Sequence, residues 1–301
     1  MLFRSAHTNA DAPIFAMGDL AAGFDGERLD GLWVNAVLAA AIEQRAVVEP
    51  HIVPLVDGWL DDIGDPVTVQ TLDTDYGAGF DQLDAMRVTA DADGVRVGID
   101  GVFDSGNNAL VVLFDVDYGE GTGLGGTGSA LPDTDGSLEA ILSTLVLDDD
   151  VPGLGFDLAI VSLRAREMEL SNAEDDGGLR GLRDPWATDG DLWWLPATLA
   201  YDDGNVSAFG VAARDAGATG ATEGGFEALL PWSSVWPDGL PTEGQTIAVL
   251  AAIVSTDGTY ASNQALPPYS APTPSAVSVQ SVVTLTVDGD GVLTGAPAVG
   301  P

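Results

Sequence analysis

The sequence predicts a mainly β protein, an antiparallel two-sheet sandwich of jelly-roll-like character with one or two short helices. Three observations predict it: period-two alternation of apolar and polar residues after residue 54, turns rich in the 38 glycines, and only two stretches with helical spacing. With 301 residues and seven tryptophans, a sizeable core is available. Residues 1–50 read as an N-terminal extension with a short helix, in which Trp33, Val37, Leu38, Ala41 and Ile42 recur at helical spacing. Residues 51–301 read as one sandwich domain, and the Pro/Ser-rich stretch at 270–275 as an internal loop.

Within the sandwich, Met86, Val88 and Ala90 alternate with Arg87, Thr89 and Asp91, and Val95, Val97 and Ile99 with Arg96, Gly98 and Asp100. These are half-buried strands joined at Ala92-Asp93-Gly94, a hairpin turn signal. The nearly continuous apolar run Asn108–Asp115 predicts a central strand covered on both faces. Further strands are expected at 156–163, 192–200, 205–213, 225–230, 246–254 and 277–287. A second helix is expected over 137–147, with Leu138, Ile141, Leu142 and Leu145 on one stripe.

Charge narrows the function classes. Asp and Glu number 47 against ten basic residues, all of them arginine, for a net charge of −37. Such a surface repels phosphate backbones and anionic headgroups, which argues against nucleic acid and membrane insertion as partners. The longest apolar stretch, residues 32–41, is too short and interrupted to span a bilayer. The carboxylates fit either a surface kept hydrated in concentrated salt, as in halophilic proteins, or one that collects divalent cations. With no cysteine, and only His7 and His51 as imidazoles, oxygen ligands are what the chain offers a metal. The first eleven residues lack the basic start, apolar middle and cleavage site of a secretion signal.

The segment Asp115-Val116-Asp117-Tyr118-Gly119-Glu120-Gly121-Thr122-Gly123 ends a buried strand in alternating carboxylates and glycines. Alternation puts Asp115 and Asp117 on one side of the strand end, and the glycines let the loop fold back, so that Asp115, Asp117 and Glu120 can gather around a hard cation. Asp133 and Asp135 follow in a second acidic turn, and Asp73 and Asp75 form an echo of the first. Calcium is the expected ion. Trp186, Trp193, Trp194 and Tyr201 form an aromatic cluster suited to stacking on sugar faces, with Trp232 and Trp236 as a second group. Because Trp193 and Trp194 are adjacent, a strand would point them to opposite faces.

Three stretches together carry a family resemblance: Val56-Asp57-Gly58 with Asp61-Asp62, the strand ending in Asp115-Val116-Asp117, and Gly225-Phe226-Glu227-Ala228-Leu229-Leu230-Pro231-Trp232-Ser233. Over roughly residues 52–290 the chain resembles the family-nine carbohydrate-binding modules and the related DOMON-like β-sandwiches, departing from their pattern at Trp59. The resemblance implies a sandwich with structural calcium, often attached to secreted or cell-surface proteins. No nucleophile elbow, zinc-protease, Walker or dinucleotide motif occurs.

The expected function is therefore a non-catalytic, calcium-stabilised extracellular module that binds polysaccharide, secreted or held at the cell surface, with a cytoplasmic location left open. One alternative is a structural protein of a surface layer or filament, partnered by its own copies or by other surface proteins. A second is an acidic hydrolase working through paired carboxylates.

Overall fold

The computed structural model describes residues 56, 58–75, 81–103, 108–124, 126–127, 137–147, 151, 153–162, 177–182, 187–188, 191–192, 194–201, 225–241, 244–268, 277–279 and 281–294. The chain divides into two units, Met1–Val53 and Pro54–Pro301, and all of these residues lie in the second. The helix expected near residues 33–42, the strand expected at 205–213 and the loop at 270–275 fall outside them.

The described residues form a β-sandwich. One antiparallel sheet carries, in spatial order, β1 (Thr68–Val69), β2 (Gln82–Ala90), β3 (Gly94–Val102), β13 (Gly225–Pro231) and β12 (Thr198–Tyr201). The other carries β11 (Trp194–Leu195), β8 (Gly177–Gly181), β7 (Leu158–Ser162), β4 (Asn108–Asp115), β14 (Gln245–Ser255), β17 (Val283–Val287) and β18 (Leu293–Thr294), with β15 (Ala261–Leu266) also paired to β14. A small sheet of β16 (Val277–Val279), β6 (Leu145–Leu147) and β5 (Gly126–Thr127), and the pair β9 (Ala187–Thr188) and β10 (Asp191–Leu192), complete the described strands.

The alternation within β4 and β14 explains why the larger sheet is buried on both faces. Leu110, Val112 and Phe114 of β4, with Ile247, Val249, Ala251 and Ile253 of β14, enter the core between the two sheets. The intervening Ala109, Val111 and Leu113, with Ala248, Leu250, Ala252 and Val254, enter a second core on the opposite face. That second core is closed by Ile141 and Leu142 of the helix Ser137–Leu142, Leu145 of β6 and Val279 of β16. The larger sheet is thus a middle layer, and a polar residue buried in it must find its partners at a strand end.

Several elements differ from their sequence reading. The helix stops at Leu142, where the Ser143 amide and hydroxyl both bond the Ala140 carbonyl, and the chain then enters β6. Ile141, Leu142 and Leu145 share one core in either geometry, so their spacing does not distinguish helix from strand. The β-branched pair Thr144 and Val146 favours the extended form. Residues 277–287 form two strands, β16 pairing in parallel with β6 and β17 antiparallel with β14. The strand expected at 192–200 is likewise divided among β10, which ends at Leu192, β11 and β12; β11 and β12 belong to different sheets, and Pro196, with no N–H to donate to a ladder, sits between them.

β3, expected to be half-buried, is buried along its whole length. Its outer face lies under residues 58–64, which include the 3-10 turn Leu60–Asp62, with Leu60 and Ile63 packed on Gly98. The hairpin turn before β3 forms as read: Asp91 N–H donates to the Gly94 carbonyl at 3.1 Å, and Asp91 Oδ1 accepts from the Asp93 amide at 2.8 Å.

Candidate metal centre

At the end of β4, Asp115, Asp117 and Asp157 each place a carboxylate oxygen within 4.8 Å of the others. Asp115 ends the central strand, and Asp157 immediately precedes β7, whose register sets Leu158 opposite Phe114. The Asp157 amide donates to the Phe114 carbonyl at 2.8 Å, which fixes the two carboxylates side by side. Both are fully buried, while Asp117, in the loop that follows, is half-buried.

The loop closes over the group because its glycines permit close backbone contact. Leu124 and Phe156 exchange hydrogen bonds at 2.7 and 3.0 Å, and the Gly119 amide donates to the Gly153 carbonyl at 3.1 Å. A Cβ on Gly155 would stand 1.5 Å from the Thr122 carbonyl oxygen, and one on Gly123 would stand 2.7 Å from Asp157 Oδ1. Only glycine lets these two segments approach so closely.

Each carboxylate already accepts hydrogen bonds. Asp115 Oδ2 accepts from the Gly155 amide at 2.8 Å and Oδ1 from the Asp117 amide at 3.2 Å. Asp157 Oδ2 accepts from the Val116 amide at 2.8 Å, and the Thr122 hydroxyl donates to Asp117 at 2.7 Å. These donors orient the oxygens without neutralising the charge. Two ionised carboxylates no more than 4.8 Å apart repel by at least roughly 3.5 kcal/mol at an effective dielectric of about 20.

Burial pushes the Asp115 carboxyl up to about 7; the Gly155 amide opposes this, and the Asp157 charge reinforces it. Since the ordinary value is 3.8, the metal-free fold binds a proton that the unfolded chain releases. Its contribution to stability is full below the ordinary value and is lost as pH rises through about 7. A divalent cation can take the place of that proton. Three carboxylate oxygens within 4.8 Å of one another are close enough to share one metal ion.

The other expected ligands are not part of it. Glu120 is exposed, its amide donating to the Asp117 carbonyl at 3.0 Å. Asp73 and Asp75 are exposed in a loop held by side-chain amides: Asn263 Nδ2 donates to the Asp73 carbonyl, Asn263 Oδ1 accepts from the Asp75 amide, and Gln82 Oε1 accepts from the Thr74 amide. Asp133 and Asp135 lie outside the described residues. Asp157 is the member that sequence reasoning missed. Its signal was a lone carboxylate heading the apolar run Leu158–Ser162, just after Gly153 and Gly155.

Of the expected aromatic cluster, Trp186 and Trp193 lie outside the described residues. Trp194 pairs through its backbone with Arg180, and Tyr201 with Phe226. The second aromatic group is a structural stack. Trp232 and Trp236 lie parallel at 5.4 Å, Trp232 donating to the Asp91 carbonyl at 2.8 Å and Trp236 to the Val116 carbonyl at 3.2 Å. Trp236 therefore anchors the backbone between Asp115 and Asp117. Trp236→Phe removes the donor and also shrinks the indole to a phenyl that packs less on Trp232, so the expected cost by urea denaturation is at least that of the hydrogen bond, about 0.5–1.5 kcal/mol.

Comparison with known proteins gives no match: no family model fits the sequence, and neither a curated protein nor a solved structure matches significantly.

Proposed function

We propose that this chain is a calcium-stabilised, non-catalytic binding module acting outside the cell or at its surface, with polysaccharide as its ligand class. The observation that carries the reading is the placement of three carboxylates at ion-ligand spacing, two of them fully buried, at the end of the central strand. Three anionic groups so close favour a doubly charged ion over any monovalent partner, and an all-oxygen set favours a hard one. The carbohydrate part is supported by the sandwich fold together with the resemblance to family-nine binding modules, and the non-catalytic part by the lack of a catalytic motif in the sequence.

Calorimetric titration of chelator-treated protein tests the metal. One calcium should bind per chain with magnesium much weaker, because the smaller ion sheds its water reluctantly. No heat with calcium would end the reading. A glycan array run with and without calcium tests the ligand, and calcium binding without any glycan hit would retain the ion and discard the sugar.

A further inference from the structure

Residues 58–64 cross the outer face of the five-stranded sheet, and the groups that hold them there are charged. The Gly58 amide donates to Glu227 Oε2 at 3.0 Å, and the Gly225 amide donates to the Gly58 carbonyl at 2.9 Å, so this end is tied to β13. Leu60 and Ile63 then fill the space that Gly98 leaves on β3, where a Cβ would stand 2.8 Å from Ile63 Cδ1. At the other end Arg87 of β2 donates to the Gly64 carbonyl and, through Nε at 3.3 Å, to Asp100 Oδ2. One guanidinium thus bridges the crossing segment and a carboxylate of the sheet beneath it.

Asp100 is 1% exposed, and its Oδ1 has no hydrogen-bond partner among the described residues. The charged residues set around it are Arg87 and Asp84 on β2 and Glu227 on β13, while Arg96, further along its own strand, pairs with Asp91. Asp61 and Asp62 lie on the crossing segment, and Asp65 just beyond it. We propose that residues 58–64 are a proton-linked strap, closed over β3 while Asp100 is protonated and released as Asp100 ionises.

An ionised Asp100 under the closed strap has one buried oxygen with no hydrogen-bond donor among the described residues, whereas an open strap exposes it to solvent. Burial pushes this carboxyl up to about 7, against the pull of the Arg87 charge and helped by Asp84. Opening returns it toward its ordinary value of 3.8, so the closed state has the higher affinity for the proton. Closure is accordingly favoured in full below that value and weakens as pH rises through about 7. The opening constant grows by up to about tenfold per pH unit across this window and levels off above it.

Native-state hydrogen exchange on the full chain, corrected for the intrinsic pH dependence of exchange, tests the strap. The probes are the Gly58 and Gly225 amides, which tie the strap to β13, with the Val112 and Ala251 amides in the core reporting global opening. The strap amides should exchange faster than the core amides throughout, and their own protection should fall by at least tenfold between about pH 5 and pH 7, with Asp100→Asn removing that fall. Core protection falls with pH as well, because global opening exposes both Asp100 and Asp115. Strap protection that stays constant in the wild-type protein, the same slope in Asp100→Asn, or strap amides that exchange together with the core would overturn the proposal. Should Asp100→Asn fail to fold, Gly98→Val, which crowds Leu60 and Ile63 off the sheet, supplies the second arm. With the strap amides shown to be deprotected, the carbon-detected titration of Asp100 should move from near 7 into the ordinary carboxylate range. A midpoint that stays near 7 would show that the strap does not control the proton.

Discussion

Asp157→Asn is expected to reverse the order of stability between wild-type and variant protein according to whether calcium is present. In excess calcium the wild type gains by mass action, about 2.7 kcal/mol when free ion is a hundredfold above the dissociation constant. The variant loses a ligand, and because even outer-shell substitutions cost 10–100-fold in metal affinity, a loss of about 100-fold or more is expected. In chelator near pH 8 the sign changes. The substituted carboxamide would keep an oxygen for the Val116 amide now held by Asp157 Oδ2, while removing a charge that pushes Asp115 up. Relief of that repulsion should make the metal-free variant about 1–3 kcal/mol more stable than metal-free wild type. Near pH 5 the advantage should shrink, since Asp115 with its value of about 7 is then protonated in the wild type. Urea denaturation with chelator and with calcium, at both pH values, measures all four quantities. A variant that is less stable under every condition would mean that Asp157 serves the fold through its hydrogen bonds alone.

How much of this site was legible in the sequence depends on where each carboxylate sits relative to an apolar run. Asp115 and Asp117 follow the unbroken strand Asn108–Asp115, and both the strand bounds and their side-by-side placement were readable from period two. Asp157 comes from a segment 40 residues further on, and only the β4–β7 register brings it in. Hydrophobic pattern and a short turn fix register within a hairpin, but β4 and β7 are not joined by a short turn, so no local signal marks their pairing. Asp73 and Asp75 show the converse failure: their motif echoes the first loop, but their neighbours are Gln82 and Asn263, which hold the backbone with amides. The fold divides in the same way. Apolar runs with turn signals at both ends, such as β4, β13 and β14, were readable, whereas segments whose burial fits two geometries, such as residues 137–147, were not. The outward charged face of β3 reads as solvated because nothing local indicates that residues 58–64 cover it.

Among the glycines of the described residues, Gly155→Ala is expected to be one of the most damaging single-methyl additions and to remove calcium binding with it. The new Cβ would stand 1.5 Å from the Thr122 carbonyl oxygen and 2.5 Å from its carbon, both backbone atoms that cannot rotate out of the way. Either the loop from Asp117 to Leu124 or the start of β7 must therefore move. Moving the first breaks the Leu124–Phe156 pair, and moving the second withdraws the Gly155 amide from Asp115 Oδ2. Overpacking costs about 1–3 kcal/mol and the loss of a hydrogen bond to a charged group about 1.5–3 kcal/mol, so a total of about 2.5–6 kcal/mol is expected. Gly121→Ala is the control within the same loop. There the nearest atom to a Cβ is 3.9 Å away, and the only penalty is the left-handed backbone at φ +68°, about 1–2 kcal/mol. Chemical denaturation in calcium and in chelator separates the two variants. Gly121→Ala should retain most of the calcium-dependent gain and Gly155→Ala should lose it, whereas equal behaviour would mean that the contact between the two glycine segments does not shape the ion site.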